Sequence, residues 1–206
     1  EILGSIFEET NISKFIVDSE NSNYSTSDDD ALILSKDGKK IIFAAPGKDY
    51  NDYVLDEKYV EIAPAAFAGT KIKTLTIVNP NTIIGDFAFA NCDELTKVIF
   101  PSSNGVVINK HAFNYNKALV ELINLNYVQT VGDYAFANTS VNNIEIASNA
   151  TYGEGVFFQS NIEVVTIGAN TTFGLGAFQN CSKLTTVNMP NANVEFGRGC
   201  FAYCSL

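Results

Sequence analysis

Residues 84–101 read IGDFAFANCDELTKVIFP. An apolar anchor (Ile84) is followed by Gly85, an Ala88-Phe89 pair, Cys92, and then Leu95-x-x-Val98-x-Phe100 closed by Pro101. Neither the helix period nor strict strand alternation accounts for all of these positions. The stretch is one copy of a repeat. The Ala-Phe pair returns at Ala66-Phe67, Ala112-Phe113, Ala135-Phe136 and Ala177-Phe178, and more loosely at Val156-Phe157 and Cys200-Phe201. Successive Phe spacings are 22, 24, 23, 21, 21 and 23 residues, as expected of fixed slots joined by loops of slightly variable length.

With Phe as the ruler, further columns line up. Five residues earlier stands an apolar residue: Ile62, Ile84, Ile108, Val131, Tyr152, Phe173, Phe196. Next comes Gly85, Asn109, Gly132, Gly153, Gly174 or Gly197, expected to take a positive φ and turn the chain. Three residues after Phe is a small polar or thiol side chain: Thr70, Cys92, Asn116, Thr139, Ser160, Cys181, Cys204. An apolar triplet follows, as in Ile72/Leu75/Ile77 and Val141/Ile144/Ile146. Asn124 breaks the triplet begun by Leu119 and Leu122, and Leu125 beside it suggests a bulge or one-residue slip. Phe7, with Ile2 before it and Ile12/Phe15/Val17 after it, fits the same ruler.

A coil of about 22 residues cannot bury its own apolar face, whereas stacked coils can. The triplets predict a parallel ladder with strands roughly 4.8 Å apart. The β-rich residues before each Phe predict a second, shorter ladder, with the Phe rings in a column between the two. The fold class is thus a β-rich repeat solenoid with parallel ladders and few or no long helices.

These slots resemble the leucine-rich repeat, specifically its BspA-like (Treponema pallidum) type, which reads approximately I-G-x-x-A-F-x-x-C-x-x-L-x-x-I-x-[IL]-P. The resemblance covers about residues 2–17 and 59–206. It implies a curved, right-handed coil. It also implies a cell-surface or secreted adhesion role, with binding to extracellular-matrix proteins or to other cells.

One leucine-rich-repeat domain over 1–206 is expected: a partial first repeat at 2–17, an insertion at 18–58, and about six and a half repeats over 59–206. Both ends fall inside a repeat, which suggests a fragment of a longer protein. Within the insertion, ALILSKDGKKIIFAAP (residues 31–46) reads as a β-hairpin around Asp37-Gly38.

The net charge is −10, with residues 1–60 carrying 13 acidic and 6 basic side chains. Such acidity argues against nucleic acid and anionic membranes as partners. No run approaches the roughly 18 apolar residues that span a bilayer, so no membrane insertion is expected within this segment. Six Asn-x-Ser/Thr sequons, at Asn11, Asn23, Asn138, Asn149, Asn170 and Asn180, are only a mild excess for this composition.

No catalytic, cofactor or metal site is expected. Asp28-Asp29-Asp30 lacks the spaced ligands of a Ca²⁺ loop. Cys92, Cys181 and Cys204 share a slot with Thr, Asn and Ser, so they read as buried structural thiols. His111 reads as a turn residue on the outer edge. Three Gly-x-Gly pairs at 153–155, 174–176 and 197–199 recur at the repeat period, so they read as turns instead of a phosphate loop. Trp is absent, which weakens a sugar-stacking reading.

Binding would use the outward columns of the main ladder. One runs Ile16, Thr76, Ile99, Ile123, Glu145, Thr166, Asn188; its neighbour runs Lys14, Thr74, Lys97, Glu121, Asn143, Val164, Thr186. Ile99 and Ile123, flanked by Lys97 and Glu121, form the expected apolar spot, and Thr76, Asn143 and Glu145 extend it. The expected partner is a protein, from the matrix or a cell surface. An intracellular interaction scaffold is the alternative.

Overall fold

The computed structural model describes residues 10–189 and 193–206. The expected slots at Ile2 and Phe7 lie outside the described residues. Seventeen short strands are found among the described residues. In the N-terminal part these are β1 (Tyr24–Thr26), β2 (Leu32–Ser35), β3 (Lys40–Ala44), β4 (Asp52–Leu55), β5 (Glu61–Ile62) and β6 (Thr74–Ile77). Next come β7 (Ile83–Ile84), β8 (Lys97–Ile99), β9 (Val107–Ile108), β10 (Glu121–Ile123), β11 (Thr130–Val131) and β12 (Asn143–Glu145). The last are β13 (Thr151–Tyr152), β14 (Val164–Thr166), β15 (Thr171–Phe173), β16 (Thr186–Asn188) and β17 (Val194–Phe196). Among the described residues one 3-10 turn, Leu125–Tyr127, interrupts them. The molecule is a β-solenoid of stacked coils.

The Phe column is the axis of the core. Rings of Phe67, Phe89, Phe113, Phe136, Phe157, Phe178 and Phe201 stack in order, with centroids 4.9–5.7 Å apart and planes within 17° of parallel. All but Phe201 are fully buried, and each such ring contributes roughly 1.5–3 kcal/mol. Backbone bonds tie the same turns together. The Phe89 N–H donates to Ala112 O at 2.8 Å, Phe113 N–H to Ala135 O at 2.8 Å, and Phe157 N–H to Ala177 O at 2.8 Å. The slot three residues on seals this layer. Thr70 Oγ1 donates to Phe67 O (2.8 Å), Cys92 Sγ to Phe67 O (3.2 Å), Asn116 Nδ2 to Phe89 O (2.8 Å), Ser160 Oγ to Phe136 O (2.9 Å) and Cys181 Sγ to Phe157 O (3.0 Å). Thiol, hydroxyl and amide interchange there because each supplies one donor to a buried carbonyl.

The two ladders differ from expectation. The strands before each Phe form the continuous sheet, ordered β1-β2-β3-β5-β7-β9-β11-β13-β15-β17. The triplet strands form two sheets, β4-β6-β8-β10 and β12-β14-β16. The split falls at Asn124, which takes a left-handed conformation (φ 64°) before the 3-10 turn. The Asn124 Nδ2 donates to Phe100 O at 2.9 Å, and Leu125 is buried in its place, so the one-residue slip is real.

The glycine column corrects another expectation. Gly85 has no positive φ. A Cβ there would stand 2.6 Å from Ile62 O of the preceding coil, so close approach of two backbones selects glycine. Positive φ falls instead two residues before each Phe, at Ala65, Phe87, His111, Tyr134, Gly155, Gly176 and Gly199.

Residues 18–58 hold the expected hairpin, β2 pairing antiparallel with β3. They also hold a rung. β3 runs parallel to β5, and β4 runs parallel to β6 with Tyr53 opposite Leu75 and Leu55 opposite Ile77. This coil has no Phe in the column. Tyr50, one residue after the Asp49–Lys71 bridge, packs edge-on to Phe67 at 5.7 Å, and Tyr53 lies 5.4 Å from the same ring. Residues 10–17 form no strand. Phe15 meets Phe43 edge-on at 5.9 Å, and Ile16 is 95% exposed, so Lys14 and Ile16 do not extend the outward columns.

Candidate protein-binding face

The expected site residues sit on the triplet ladder. Parallel pairing puts Thr76 beside Ile99, Ile99 beside Ile123, and Lys97 beside Glu121. Alternation turns these side chains away from the core, because Val98 between them is buried. Lys97 Nζ and Glu121 Oε2 form an ion pair at 2.7 Å. Its half-exposed setting makes it worth about 0–1 kcal/mol, so its main effect is to neutralise the ground beside the isoleucines. Ile99 is half-buried and Ile123 is 41% exposed.

Asn143 and Glu145 stand on β12, across the split. No backbone hydrogen bond joins β10 to β12 among the described residues. The gap is a groove of about 530 Å³ lined by Leu122, Tyr127, Ile144, Glu145, Val164 and Thr166 among others. The slot periodicity puts one unbroken column here. The signal for the groove is the polar Asn124 in an apolar slot.

The other candidates resolve as structure. Asp29 accepts from Ser27 Oγ at 2.7 Å and from the Ala31 N–H at 3.2 Å, and pairs with Lys48 at 3.3 Å, which organises a turn. His111 is sandwiched between Phe87 (4.6 Å) and Tyr134 (5.3 Å), with both ring planes within 7° of its own. Burial pushes the Cys92 and Cys181 thiols up to about 12, away from nucleophilic use. No group of three or more His, Cys, Asp or Glu gathers as a metal set among the described residues. No described helix is long and apolar enough to cross a membrane.

Similar folds are known. The Treponema pallidum leucine-rich repeat protein TpLRR matches with a TM-score of 0.70 and 22% identity, over 91% of this chain and 88% of that one. The pneumococcal vaccine antigen PcpA matches with a TM-score of 0.63 and 20% identity, over 89% of this chain and 50% of that one. A leucine rich cell surface protein from Faecalibacterium prausnitzii matches with a TM-score of 0.56 and 16% identity, over 84% of this chain and 41% of that one. The chain thus spans half or less of the latter two. No curated protein matches. The pattern of the BspA type leucine rich repeat region matches in six copies, over residues 60–170 and 99–206. With its Phe column, its donor slot and its stacked coils, the chain belongs to the BspA-type leucine-rich repeat family.

Proposed function

We propose that this chain is a non-enzymatic protein-binding module, one leucine-rich-repeat domain of a cell-surface or secreted protein. It holds a protein partner, from the extracellular matrix or another cell's surface, against the triplet ladder at Thr76, Lys97, Ile99, Glu121, Ile123, Asn143 and Glu145. The observation that carries this is the Ile99–Ile123 pair. Two isoleucines lie side by side on an outward sheet face, next to an ion pair that is already neutralised. Apolar ground of this kind with a polar rim suits a partner's apolar anchor. The surface location draws support from the similar fold of a leucine rich cell surface protein.

The test is a pull-down of purified matrix proteins with the whole chain and with the double variant Ile99→Asp, Ile123→Asp. Loss of capture with an unchanged circular dichroism spectrum supports the reading. Undiminished capture overturns the assigned face.

A further inference from the structure

The split between β10 and β12 exposes peptide groups that a continuous sheet would satisfy. In a parallel strand, alternate residues bond to opposite neighbours. The Glu121 N–H donates to Thr96 O at 3.2 Å, and Ile123 O accepts from the Phe100 N–H at 3.0 Å, so both residues are committed to the β8 side. The peptide groups of Leu122 therefore face the gap. On the other side, Asn142 O accepts from the Glu163 N–H (2.7 Å) and the Ile146 N–H donates to Thr166 O (2.8 Å), which commits residues 142, 144 and 146 to β14. Asn143 and Glu145 therefore face the gap. The Asn143 N–H is taken up by Asn142 Oδ1 at 2.7 Å, but among the described residues the Glu145 N–H has no such cap.

Two strand edges thus look at each other across a groove, and no backbone bond crosses it among the described residues. Peptide N–H and C=O groups require partners, and a bound strand can supply them at both edges. The lining is mixed: Leu122, Ile123, Ile144, Val164 and Tyr127 bring apolar side chains, beside the polar Asn124, Asn126, Asn143 and Thr166. Glu145 is the one charged side chain in the lining, and it forms no ion pair among the described residues.

The geometry points to a strand-acceptor site: the groove takes an extended segment of a partner protein, which pairs with the free edges at Leu122 and Glu145 and sets a basic side chain against the Glu145 carboxylate. Free edges supply main-chain affinity, and the lining side chains select alternate side chains of the segment. The overall charge of −10 favours the approach of a basic segment. This inference rests on the proposed binding face and assigns the chemistry of what that face holds.

The experiment uses the whole chain, labelled for NMR, and capped heptapeptides of alternating Lys and Val. Three peptides are compared: the parent, one with Glu in place of Lys, and one with alternate amides N-methylated. The parent should shift the amide signals of residues 122–127 and 143–145. N-methylation should weaken binding by about tenfold or more, the loss of one to two backbone hydrogen bonds. The Glu peptide should not bind, and Glu145→Gln should weaken the parent several-fold. In the free chain the Leu122 and Glu145 amides should exchange quickly with solvent.

Slow exchange at both amides would mean the edges are already paired, and would overturn the inference. So would shifts confined to other surfaces, binding indifferent to N-methylation, or occupation of the groove by a second copy of the chain. If the Ile99/Ile123 double variant loses its partner while the peptide series fails, only the strand-acceptor reading falls. If that variant also keeps its partner, the binding face falls with it.

Discussion

Phe89 and Phe113 belong to neighbouring coils, yet their rings lie 5.3 Å apart and only 5° from parallel. Each ring between Phe67 and Phe201 stacks on one column ring before it and one after it. Phe113→Ala removes contacts on both sides and opens a cavity that the flanking coils cannot close. It should destabilise the chain by about 3–5 kcal/mol. Phe201 is only half-buried and packs on Phe178 from one side, so Phe201→Ala should cost roughly 1–2 kcal/mol. Urea unfolding followed by circular dichroism checks both values.

Ala65 holds a φ of 55° while its N–H donates to Asp86 O at 2.8 Å. Its Cβ is the only obstacle to that conformation. Ala65→Gly should therefore stabilise the fold by about 0.5–1 kcal/mol, the left-handed penalty less the added chain entropy of glycine. A fall in the urea midpoint would refute this.

Desolvation raises the Cys92 and Cys181 thiols from 9.0 to about 12. A raised folded-state pKa means that the native chain keeps protons the unfolded chain gives up. Its stabilising effect is complete below pH 9 and is lost as pH climbs toward about 12. Stability should therefore fall steeply over that alkaline range, and the slope should flatten in the Cys92→Ser, Cys181→Ser variant. In the native chain at neutral pH, an alkylating reagent should modify half-buried Cys204 well before Cys92.

Asn124 bends the chain at φ 64° and splits the ladder. A β-branched side chain resists that region, so Asn124→Val should cost about 1–3 kcal/mol. Asn124→Gly keeps the bend and loses only the bond to Phe100 O, so it should stay within about 1 kcal/mol of the parent. Thermal unfolding of the two variants side by side distinguishes them.

Much of this was legible in the sequence because each coil solves the same packing problem in the same way. The Phe column, the donor slot from Thr70 to Cys204, the hairpin around Asp37-Gly38 and the slip at Leu125 all follow from aligned positions. The rung at 40–55 escapes that alignment because it pairs in register but carries no Phe to serve as the ruler. Tyr50 and Tyr53 reach Phe67 from slots where other coils carry aliphatic side chains, and volume compensation of that kind leaves no mark on a column. The role of Gly85 is not readable from sequence, because a need for close approach and a need for positive φ select the same residue. The outward residues Lys97 to Ile123 could be placed by alternation alone. The groove leaves only Asn124 as its mark, since its shape depends on which peptide groups lose their neighbours.

One sheet runs unbroken along the solenoid, while the other stops at the Asn124 bend. A rod reinforced along one side and cut on the other is stiff against stretching but compliant in a single direction of flexure. Its compliance is concentrated at the cut, where opening or closing by a small angle changes the arc of the whole body. A tensile load passed along the chain would thus be felt first at the position where the two short sheets part.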